Sequence, residues 1–348
     1  MARKDRLGFV LVTYGEGKKV NRMLDIIQKE KKPGDKVSLI DNHPDYETAK
    51  AAEAHPAADH VIRSPDNSGY AIGNVRAAAL IEDDVDLLLF LNPDSQPEPG
   101  TITKLRQGGP KDWSAWMGLL VLEDGKKVNS AGNVVHISGL SWVDAFGQDA
   151  SKYKEPQEVT VVSGADFVVR AKTWKQINRF PPIYYIYYED TELSLDILML
   201  KQKIGMLPDA KVRHGYSFYN SPRKWFLIER NRYIFIIRTW PVAVILVLLP
   251  LLIVVEIGLW AVSIMQRRFI LKVKSSFSAI KLLPEAFRGR REVRRRNQLA
   301  AIEFFDLLTP KIDTPLLPKF LSSRPVNWVF TGYYKVARVI LSIFSFAA

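Results

Sequence analysis

The sequence contains no cysteine among its 348 residues. This absence excludes disulfide bonds and thiolate metal sites, and it suits a reducing compartment. The N-terminus, MARKDRLGFVLVTYG, also lacks a long apolar run after its charges, so a cleaved signal peptide is not expected. Hydrophobic residues make up 47% of the chain, enough to bury a substantial core in one or two domains.

Acidic residues are scarce in one region only. Residues 1–222 hold 28 Lys and Arg against 30 Asp and Glu, whereas residues 266–298 hold eleven basic residues and two acidic ones. The net charge of +12 therefore comes from one C-terminal block rather than from the whole surface.

Up to about residue 220 the sequence alternates strand-like and helix-like segments. Four apolar segments are typical of strands: residues 7–14, 36–42, 60–64 and 85–92. Helical spacing in residues 20–30 and 71–83 predicts helices between them, so we expect an α/β fold with a mostly parallel sheet. Shorter alternating segments after Pro99 predict a mixed-sheet second half, and EDTELSLDILMLKQKIG predicts a helix from Glu189 to near Gly205.

Several polar residues follow the predicted strands. In LLLFLNPDSQP the strand must end near Pro93, because proline has no N–H for a sheet, and Asp94 is carried out with the turn. Asp41 also ends a strand, and NSGYAIGN is a glycine-containing turn that opens a helix. Each feature alone is compatible with ordinary turn chemistry. Since ligands of parallel sheets bind beyond the carboxyl ends of strands, together they favour a site there.

Three acids lie in the first turn of the helix predicted from YYEDTEL: Glu189, Asp190 and Glu192. Compensation of the helix dipole is the alternative explanation, and for Glu192 it is about equally good. The preceding IYYIYY favours a cleft wall over a solvated face. His214 ends a further strand, where a lone histidine is usually structural.

In this order the motifs resemble the family 2 inverting glycosyltransferases of GT-A fold, especially the bacterial rhamnosyltransferase-like branch. The matching segments are VLVTYG, LIDN, NSGYAIGN, LFLNPDS, SGADFVVRAKTW, YYEDTEL, HGYSF and LIERNRY, within about residues 7–265. The chain departs from the family pattern at Gly15, where Asn is common, at Val75, which replaces a second Asn, and at Asn92, which replaces the first Asp of the DxD motif.

The resemblance implies a Rossmann-like GT-A domain and a role for each matched residue. Asp94 and His214 would bind Mn²⁺ or Mg²⁺, and Asp190 would be the general base, with Glu189 able to raise its pKa by like-charge repulsion. The residues implied for nucleotide-sugar binding are Thr13, Asp41, Asn67, Gly69, Asn74, Asn92 and Asp94. Those implied for the sugar or acceptor pocket are Gly164, Ala165, Glu189, Arg230 and Arg232.

The resemblance also implies the substrates. The first choice of donor is dTDP-rhamnose, and UDP-galactofuranose or another UDP-hexose is the alternative. The expected acceptor is a membrane-held saccharide on a polyprenyl phosphate or pyrophosphate.

The segment Pro241–Met265 has only Glu256 and Ser263 as polar side chains and is long enough for a bilayer. Basic residues flank both of its ends, against the positive-inside tendency of a single span. We therefore expect a re-entrant hairpin broken at Pro250, or in-plane insertion, at the cytoplasmic face of the membrane. The mixed apolar and basic residues after it predict interfacial helices on anionic lipid.

The predicted organisation has three parts. Residues 1–222 form the catalytic domain, with nucleotide-sugar binding in about 1–100 and the acceptor half in about 101–222. Residues 223–265 form a basic junction and apolar segment, and 266–348 a basic, interfacial helical region.

An inactive membrane scaffold is one alternative to the glycosyltransferase function. A nucleic-acid-binding protein is the other, but the basic block lacks interleaved aromatics and adjoins the apolar segment, so no nucleic-acid partner is expected.

Overall fold

The computed structural model describes residues 5–215, 221–317 and 319–345. These residues form two compact units. The first, which we call the sheet unit, comprises the described residues up to 133 with 143–197 and 202–215. The second, the helical unit, comprises 134–142, 198–201 and the described residues from 221 onward. The last three residues of the motif HGYSF lie outside the described residues.

The strands in chain order are β1 Leu7–Thr13, β2 Lys36–Asp41, β3 His60–Arg63, β4 Leu87–Leu91, β5 Ser95–Pro97, β6 Trp113–Val121, β7 Val128–Ser130, β8 Asn133–Val135, β9 Ser141–Val143, β10 Gln157–Glu158, β11 Asp166–Arg170 and β12 Lys203–His214. The α-helices are α1 Gly17–Glu30, α2 Glu47–Glu53, α3 Gly69–Ala78, α4 Thr101–Gln107, α5 Ala171–Gln176, α6 Glu189–Met199, α7 Pro222–Thr239, α8 Val242–Met265, α9 Phe269–Arg296, α10 Ala301–Phe305 and α11 Arg324–Ser345.

One sheet organises the sheet unit, in the order β10-β12-β6-β11-β4-β1-β2-β3. Its first half is parallel: β1 pairs in parallel with β2 and β4, and β2 pairs in parallel with β3. Its second half is mixed, because β11 runs antiparallel to both β4 and β6 while β12 is parallel to β6. The predicted architecture, a parallel half followed by a mixed half, is confirmed.

The buried face of α1 explains why this helix covers the sheet. Val20, Leu24 and Ile27 recur at helical spacing and are fully buried in the same cluster as Phe9 and Leu11 of β1. Apolar area removed from water in this way is the main favourable term in folding. The polar turns begin at the carboxyl ends of β1, β2 and β4.

The helix predicted from Glu189 to Gly205 is shorter than expected. α6 ends at Met199, Lys201 has a positive φ of 57°, and β12 begins at Lys203. A Cβ atom on Gly205 would lie 2.1 Å from the ring of Trp113, so no larger residue fits there. The glycine therefore permits Trp113 to pack across a strand, and its interpretation as a helix stop is wrong. The helix predicted over residues 71–83 likewise ends earlier, at Ala78.

The predicted break at Pro250 is also wrong. α8 is continuous over 24 residues with Pro250 inside it, so the apolar segment is not a hairpin. A proline removes one backbone donor and bends a helix without having to end it. In the described part of the chain α8 is the helix long and apolar enough to cross a membrane.

A cluster of paired charges, half-buried at Glu256 and buried at its partners on α7 and α9, joins α7, α8 and α9 within the helical unit. Glu256, the acid of the apolar helix, pairs with Arg232 of α7 at 2.5 Å and with Lys272 of α9 at 2.8 Å. Lys272 pairs in turn with Glu229 at 2.5 Å, and the Tyr233 hydroxyl donates to Glu256. Buried charges persist only when paired in this way. The cluster therefore accounts for the acid in the apolar segment and shows that α7 and α9 fold back alongside α8.

The packing at Gly205 makes a stability prediction. Gly205→Ala should lower the free energy of unfolding by about 1–3 kcal/mol, because the new methyl group overlaps the Trp113 ring. Denaturant unfolding of the purified protein measures the change. Gly332→Ala is the matched control, since that helical position has open space and alanine favours helix by about 1 kcal/mol. Equal effects of the two substitutions would contradict the proposed packing.

Candidate active site

The turn after β4 positions Asp94. Asn92 donates its N–H to the carbonyl of Ala165 at 3.0 Å, and its own carbonyl accepts from the Ser95 hydroxyl at 2.7 Å. After the turn, β5 pairs antiparallel with the end of β12, so that Ser95 lies opposite His214. As a result, the His214 Nε2 and Asp94 Oδ1 atoms are 3.4 Å apart. The structure thus brings together the two predicted metal ligands.

This pair fits a divalent cation. The side chains of Asp94 and His214 are 41% and 15% exposed, so both reach a surface that a ligand can approach. Burial opposes ionisation of Asp94, but its interactions with His214 prevail and lower its pKa, which keeps an anionic oxygen available. Among the described residues no three or more His, Asp and Glu side chains form a metal cluster. The protein would thus supply two ligands, one oxygen and one nitrogen, and leave the other positions to substrate and water.

Asp190 lies at the start of α6 with its carboxylate held on both sides. Its Oδ2 accepts the N–H of Gly164 at 2.9 Å, and its Oδ1 accepts the N–H of Thr191 at 2.7 Å. Burial raises the pKa of Asp190, although these hydrogen bonds oppose the shift. A Cβ atom on Gly164 would lie 3.3 Å from Oδ2, so the glycine permits this close approach. The predicted neighbours Gly164 and Asp190 are therefore in contact.

Glu189 differs sharply from Asp190 in its environment. It is only 3% exposed, and its Oε2 atom has no hydrogen-bond partner among the residues described. Burial, and then the negative charge of Asp190, raise the pKa of Glu189 well above its usual range. Burial is the main cause that raises the pKa of both carboxyl groups, and repulsion between them adds to the shift of Glu189.

Glu192, the third acid of this turn, has a structural role. It is fully buried on α6, and the Tyr184 hydroxyl donates to its Oε2.

The residues implied for nucleotide-sugar binding line the ends of β1, β2 and α3, where most have structural hydrogen bonds. Asp41 is fully buried and accepts the N–H groups of His43 at 3.1 Å and Ala49 at 3.0 Å. Asn67 accepts the N–H of Gly69 at 3.1 Å and so opens α3. Asn74, 1% exposed, donates to the Tyr70 carbonyl at 2.9 Å. Their contacts with a nucleotide-sugar stay predictions.

Thr13, at the end of β1, is different. Its hydroxyl is buried and has no hydrogen-bond partner within the described ranges. An unmade hydrogen bond at a buried hydroxyl is costly, so this atom is a suitable contact for a ligand.

Arg230 and Arg232 belong to the helical unit. Arg232, only 2% exposed, is engaged in the charge cluster and also donates to the Ser138 carbonyl at 3.3 Å. Arg230 donates to the Asn231 side chain at 2.9 Å. A role for either residue in acceptor binding stays a prediction.

Two residues near the site were not predicted from the sequence. The Tyr70 hydroxyl donates to the Gly164 carbonyl, which links α3 to the loop that holds Asp190. Burial, reinforced by the neighbouring carboxyl groups of Glu189 and Asp190, raises the pKa of Tyr70 well above its usual range, so the hydroxyl keeps its proton. The second residue is Asp166, a fully buried acid at the start of β11. The sequence signal for Asp166 was an acid at the start of an otherwise apolar strand.

Comparison with known proteins adds to this geometry. Residues 9–108 match the model of the family described as Glycosyl transferase family 2. These residues contain β1 to β4 and the Asp94 turn. This part of the chain is similar to family 2 glycosyltransferases.

The individual proteins to which the chain is similar are distant from it in sequence. The rhamnosyltransferase WbbL of Escherichia coli K12 is 23% identical over 244 residues, which are 65% of this chain and 91% of that protein. A crystal structure of GalNAc-T7 with UDP, GalNAc and Mn²⁺ aligns with a TM-score of 0.54 at 16% identity, over 70% of this chain and 49% of that one. The chain thus spans about half the length of GalNAc-T7.

The S. aureus TarS 1–349 structure with UDP aligns with a TM-score of 0.50 at 14% identity, over 99% of this chain and 92% of that one. At these identities the two structures establish that the chain shares the GT-A fold.

The different environments of the Glu189 and Asp190 carboxyl groups lead to a prediction about how stability depends on pH. Because the folded-state pKa of Glu189 is raised, folding favours its protonated form, and its contribution to stability falls as pH rises above the unfolded value of about 4.3. Glu189→Gln should therefore raise the melting temperature relative to wild type at pH 7, with the gain shrinking toward pH 4. Thermal unfolding followed by circular dichroism tests this. Exposed Glu47→Gln should show no such trend; a pH-independent difference for Glu189→Gln would contradict the assignment.

Proposed function

We propose that the protein is a metal-dependent inverting glycosyltransferase that moves a sugar from a nucleotide-sugar to a membrane-held, lipid-linked saccharide. The observation that carries this proposal is the juxtaposition of Asp94 and His214, 3.4 Å apart beyond the carboxyl ends of the strands. The fold family supplies the second support, because its members with known structures include proteins crystallised with UDP and with Mn²⁺.

Asp94 and His214 would hold Mn²⁺ or Mg²⁺, which when bound neutralises charge on the departing nucleoside diphosphate. The histidine favours Mn²⁺, since imidazole suits transition metals better than Mg²⁺. Thr13, with its buried free hydroxyl, and the turns that contain Asp41 and Asn67 would bind the nucleoside and ribose. Gly164 and Ala165 would line the sugar pocket.

Asp190 would act as the general base. The acceptor oxygen forms its bond to the anomeric carbon as the bond from that carbon to the diphosphate oxygen breaks, and the hydroxyl proton passes to the Asp190 carboxylate. The backbone N–H groups of Gly164 and Thr191 fix this carboxylate. The raised pKa of Glu189 disfavours a second negative charge beside it.

The proposed donor is chosen by similarity to known proteins. The WbbL relative is named as a rhamnosyltransferase and favours dTDP-rhamnose. UDP-galactofuranose or another UDP-hexose is the alternative, and the structural neighbours with UDP support a uridine nucleotide.

Two substitutions separate donor binding from chemistry. Asp94→Ala should abolish Mn²⁺-dependent binding of the nucleoside diphosphate while the fold is kept, because Asp94 lies in a turn. Asp190→Asn should leave that binding unchanged and lower turnover by about 10²–10⁴-fold, the usual contribution of a general base. Calorimetric titration with dTDP and with UDP, plus a sugar-transfer assay, gives both readouts. Unchanged affinity in Asp94→Ala, or near-normal turnover in Asp190→Asn, would remove that residue from its role.

The helical unit supports attachment to the membrane. α9 carries a row of exposed basic residues at seven-residue intervals: Lys274, Lys281, Arg288 and Arg295. Exposed apolar side chains lie beside this row: Ile270, Phe277, Ile280 and Phe287. A basic row next to an apolar one is typical of a helix at the surface of anionic lipid.

In-plane insertion of α8 is the proposed arrangement. α7 and α9 fold back along α8 through the paired charges of Arg232, Glu256 and Lys272, so a spanning α8 would carry these ionised groups into the bilayer. A span would also move the basic block of residues 266–298 across the membrane, at about 2.3 kcal/mol per charge per 100 mV.

Labelling of introduced cysteines tests this topology, because the native chain has none. Ser151→Cys and Ser322→Cys, which lie before and after α8, should both resist a membrane-impermeant thiol reagent in intact cells and both react in lysed cells. Reaction of Ser322→Cys alone in intact cells would establish a transmembrane α8 and contradict in-plane insertion.

A further inference from the structure

A turn of residues 163–166, which we call the β11 turn, joins two parts of the proposed site. Its Gly164 N–H donates to Asp190 Oδ2, at the start of α6, at 2.9 Å. Its Ala165 carbonyl accepts the N–H of Asn92, in the turn that follows β4, at 3.0 Å. The β11 turn therefore lies between the proposed general base and the turn that carries the proposed metal-binding acid.

Gly164 is the residue of the β11 turn that most needs an external restraint. A Cβ atom on it would lie 3.3 Å from Asp190 Oδ2, so glycine allows the carboxylate to approach closely. A glycine, however, restricts its own backbone less than any other residue does. The Gly164 N–H therefore stays aimed at Asp190 only if other groups hold the glycine in place.

Tyr70, in the first turn of α3, supplies such a restraint. Its hydroxyl donates to the Gly164 carbonyl, which lies on the other side of the glycine Cα from the N–H that holds Asp190. The Tyr70 ring packs against Phe180, with the two ring centroids 6.1 Å apart. This hydrogen bond therefore limits rotation of the Gly164 backbone, and with it the direction of the N–H that Asp190 accepts.

The first turn of α3 also contacts the segment that leads into α6. The Ala71 N–H donates to the carbonyl of Tyr185 at 3.0 Å. A Cβ atom on Gly69 would lie 2.6 Å from the same carbonyl, so only glycine fits at that point of α3. Tyr185 has a positive φ of 68°, a costly value for tyrosine that persists only where neighbouring groups hold it. The start of α3 thus holds both backbone segments that adjoin Asp190.

We propose that Tyr70 is a positioning residue for Asp190: by fixing the Gly164 carbonyl it aims the Gly164 N–H at Oδ2, and so it orients the carboxylate that takes the acceptor proton. This inference rests on the proposed function, in which Asp190 is the general base. Asp190 is half-buried, so an acceptor hydroxyl can approach it. Because a base must lie about 3 Å from the oxygen that it deprotonates, a small rotation of the carboxylate lowers the rate without weakening donor binding.

Tyr70→Phe tests the inference, because it removes the hydroxyl and keeps the ring. Turnover of the full chain in detergent is followed as release of dTDP from dTDP-rhamnose or of UDP from UDP-galactofuranose, with a total membrane-lipid extract supplying the acceptor. The variant should lower turnover by about 10–100-fold, the scale of a small misplacement of a reacting group, and keep its calorimetric affinity for dTDP or UDP with Mn²⁺. Wild-type turnover, or a loss of nucleotide affinity as large as the loss of turnover, would overturn the proposal.

Tyr46→Phe is the matched control. The Tyr46 hydroxyl donates to the carbonyl of Ser64 at 2.8 Å, so this substitution removes a hydrogen bond of the same kind. Ser64 follows β3, which β4, β1 and β2 separate from β11 in the sheet. Tyr46→Phe should therefore leave turnover at its wild-type level. An equal loss in the two variants would contradict a specific role for Tyr70.

The pH profile distinguishes positioning from a general loss of structure. The N–H of Gly164 stabilises the ionised form of Asp190 and so opposes the rise of its pKa by burial. Glu189 on α6 and Tyr70 on α3 are titratable groups that interact with this carboxyl group. When the N–H is no longer aimed at Oδ2, the pKa of Asp190 should rise further, so the acidic limb of the turnover curve should move to higher pH in Tyr70→Phe. A curve lowered by the same factor at every pH would overturn the proposal.

A double-mutant cycle separates this inference from the proposed function. In an Asp190→Asn background, Tyr70→Phe should cause no further loss of turnover, because the base that it positions is gone. A loss as large as the one in the wild-type background would overturn the positioning role and leave Asp190 as the base. Wild-type turnover in Asp190→Asn alone would overturn the base of the proposed function and this inference with it.

Discussion

A proline that follows a buried strand controls the geometry of this site. Pro93 cannot donate to the sheet, so the chain leaves it after β4, and the turn is closed by the Ser95 hydroxyl on the Asn92 carbonyl. The short β5 then pairs with the end of β12 and brings Ser95 opposite His214. The exit of the chain from the sheet at Pro93 therefore places Asp94, from the parallel half of the sheet, beside His214, from the mixed half.

The second constraint is the division of roles between two adjacent acids. Glu189 and Asp190 follow each other in the chain, yet Asp190 receives two backbone N–H groups whereas Glu189 Oε2 receives none among the described residues. Hydrogen bonds to the charged form favour ionisation, and burial without them disfavours it. Burial raises the pKa of both carboxyl groups, but at Asp190 the hydrogen bonds oppose the shift, so Asp190 is the group of the pair that ionises more readily.

Much of this arrangement could be predicted from local patterns. The strands that become β1 to β4 were predictable because each is a continuous apolar run, and the ends of parallel strands meet at one edge. Residues that depend on tertiary contacts were not: Gly205 ends no helix because Trp113 packs over it, and α8 continues through Pro250. Tyr70 and Asp166 were missed for the same reason, since their partners Gly164 and Gly118 are distant in the chain.

The central claim is that Asp94 and His214 together hold the divalent cation of a nucleotide-sugar transferase. Pulsed electron paramagnetic resonance of Mn²⁺ bound with dTDP or UDP observes this contact directly. The account predicts a ¹⁴N coupling from a directly bound imidazole, lost in His214→Ala, together with a ³¹P coupling from the diphosphate. A bound Mn²⁺ that shows the phosphorus coupling but no histidine nitrogen would contradict it.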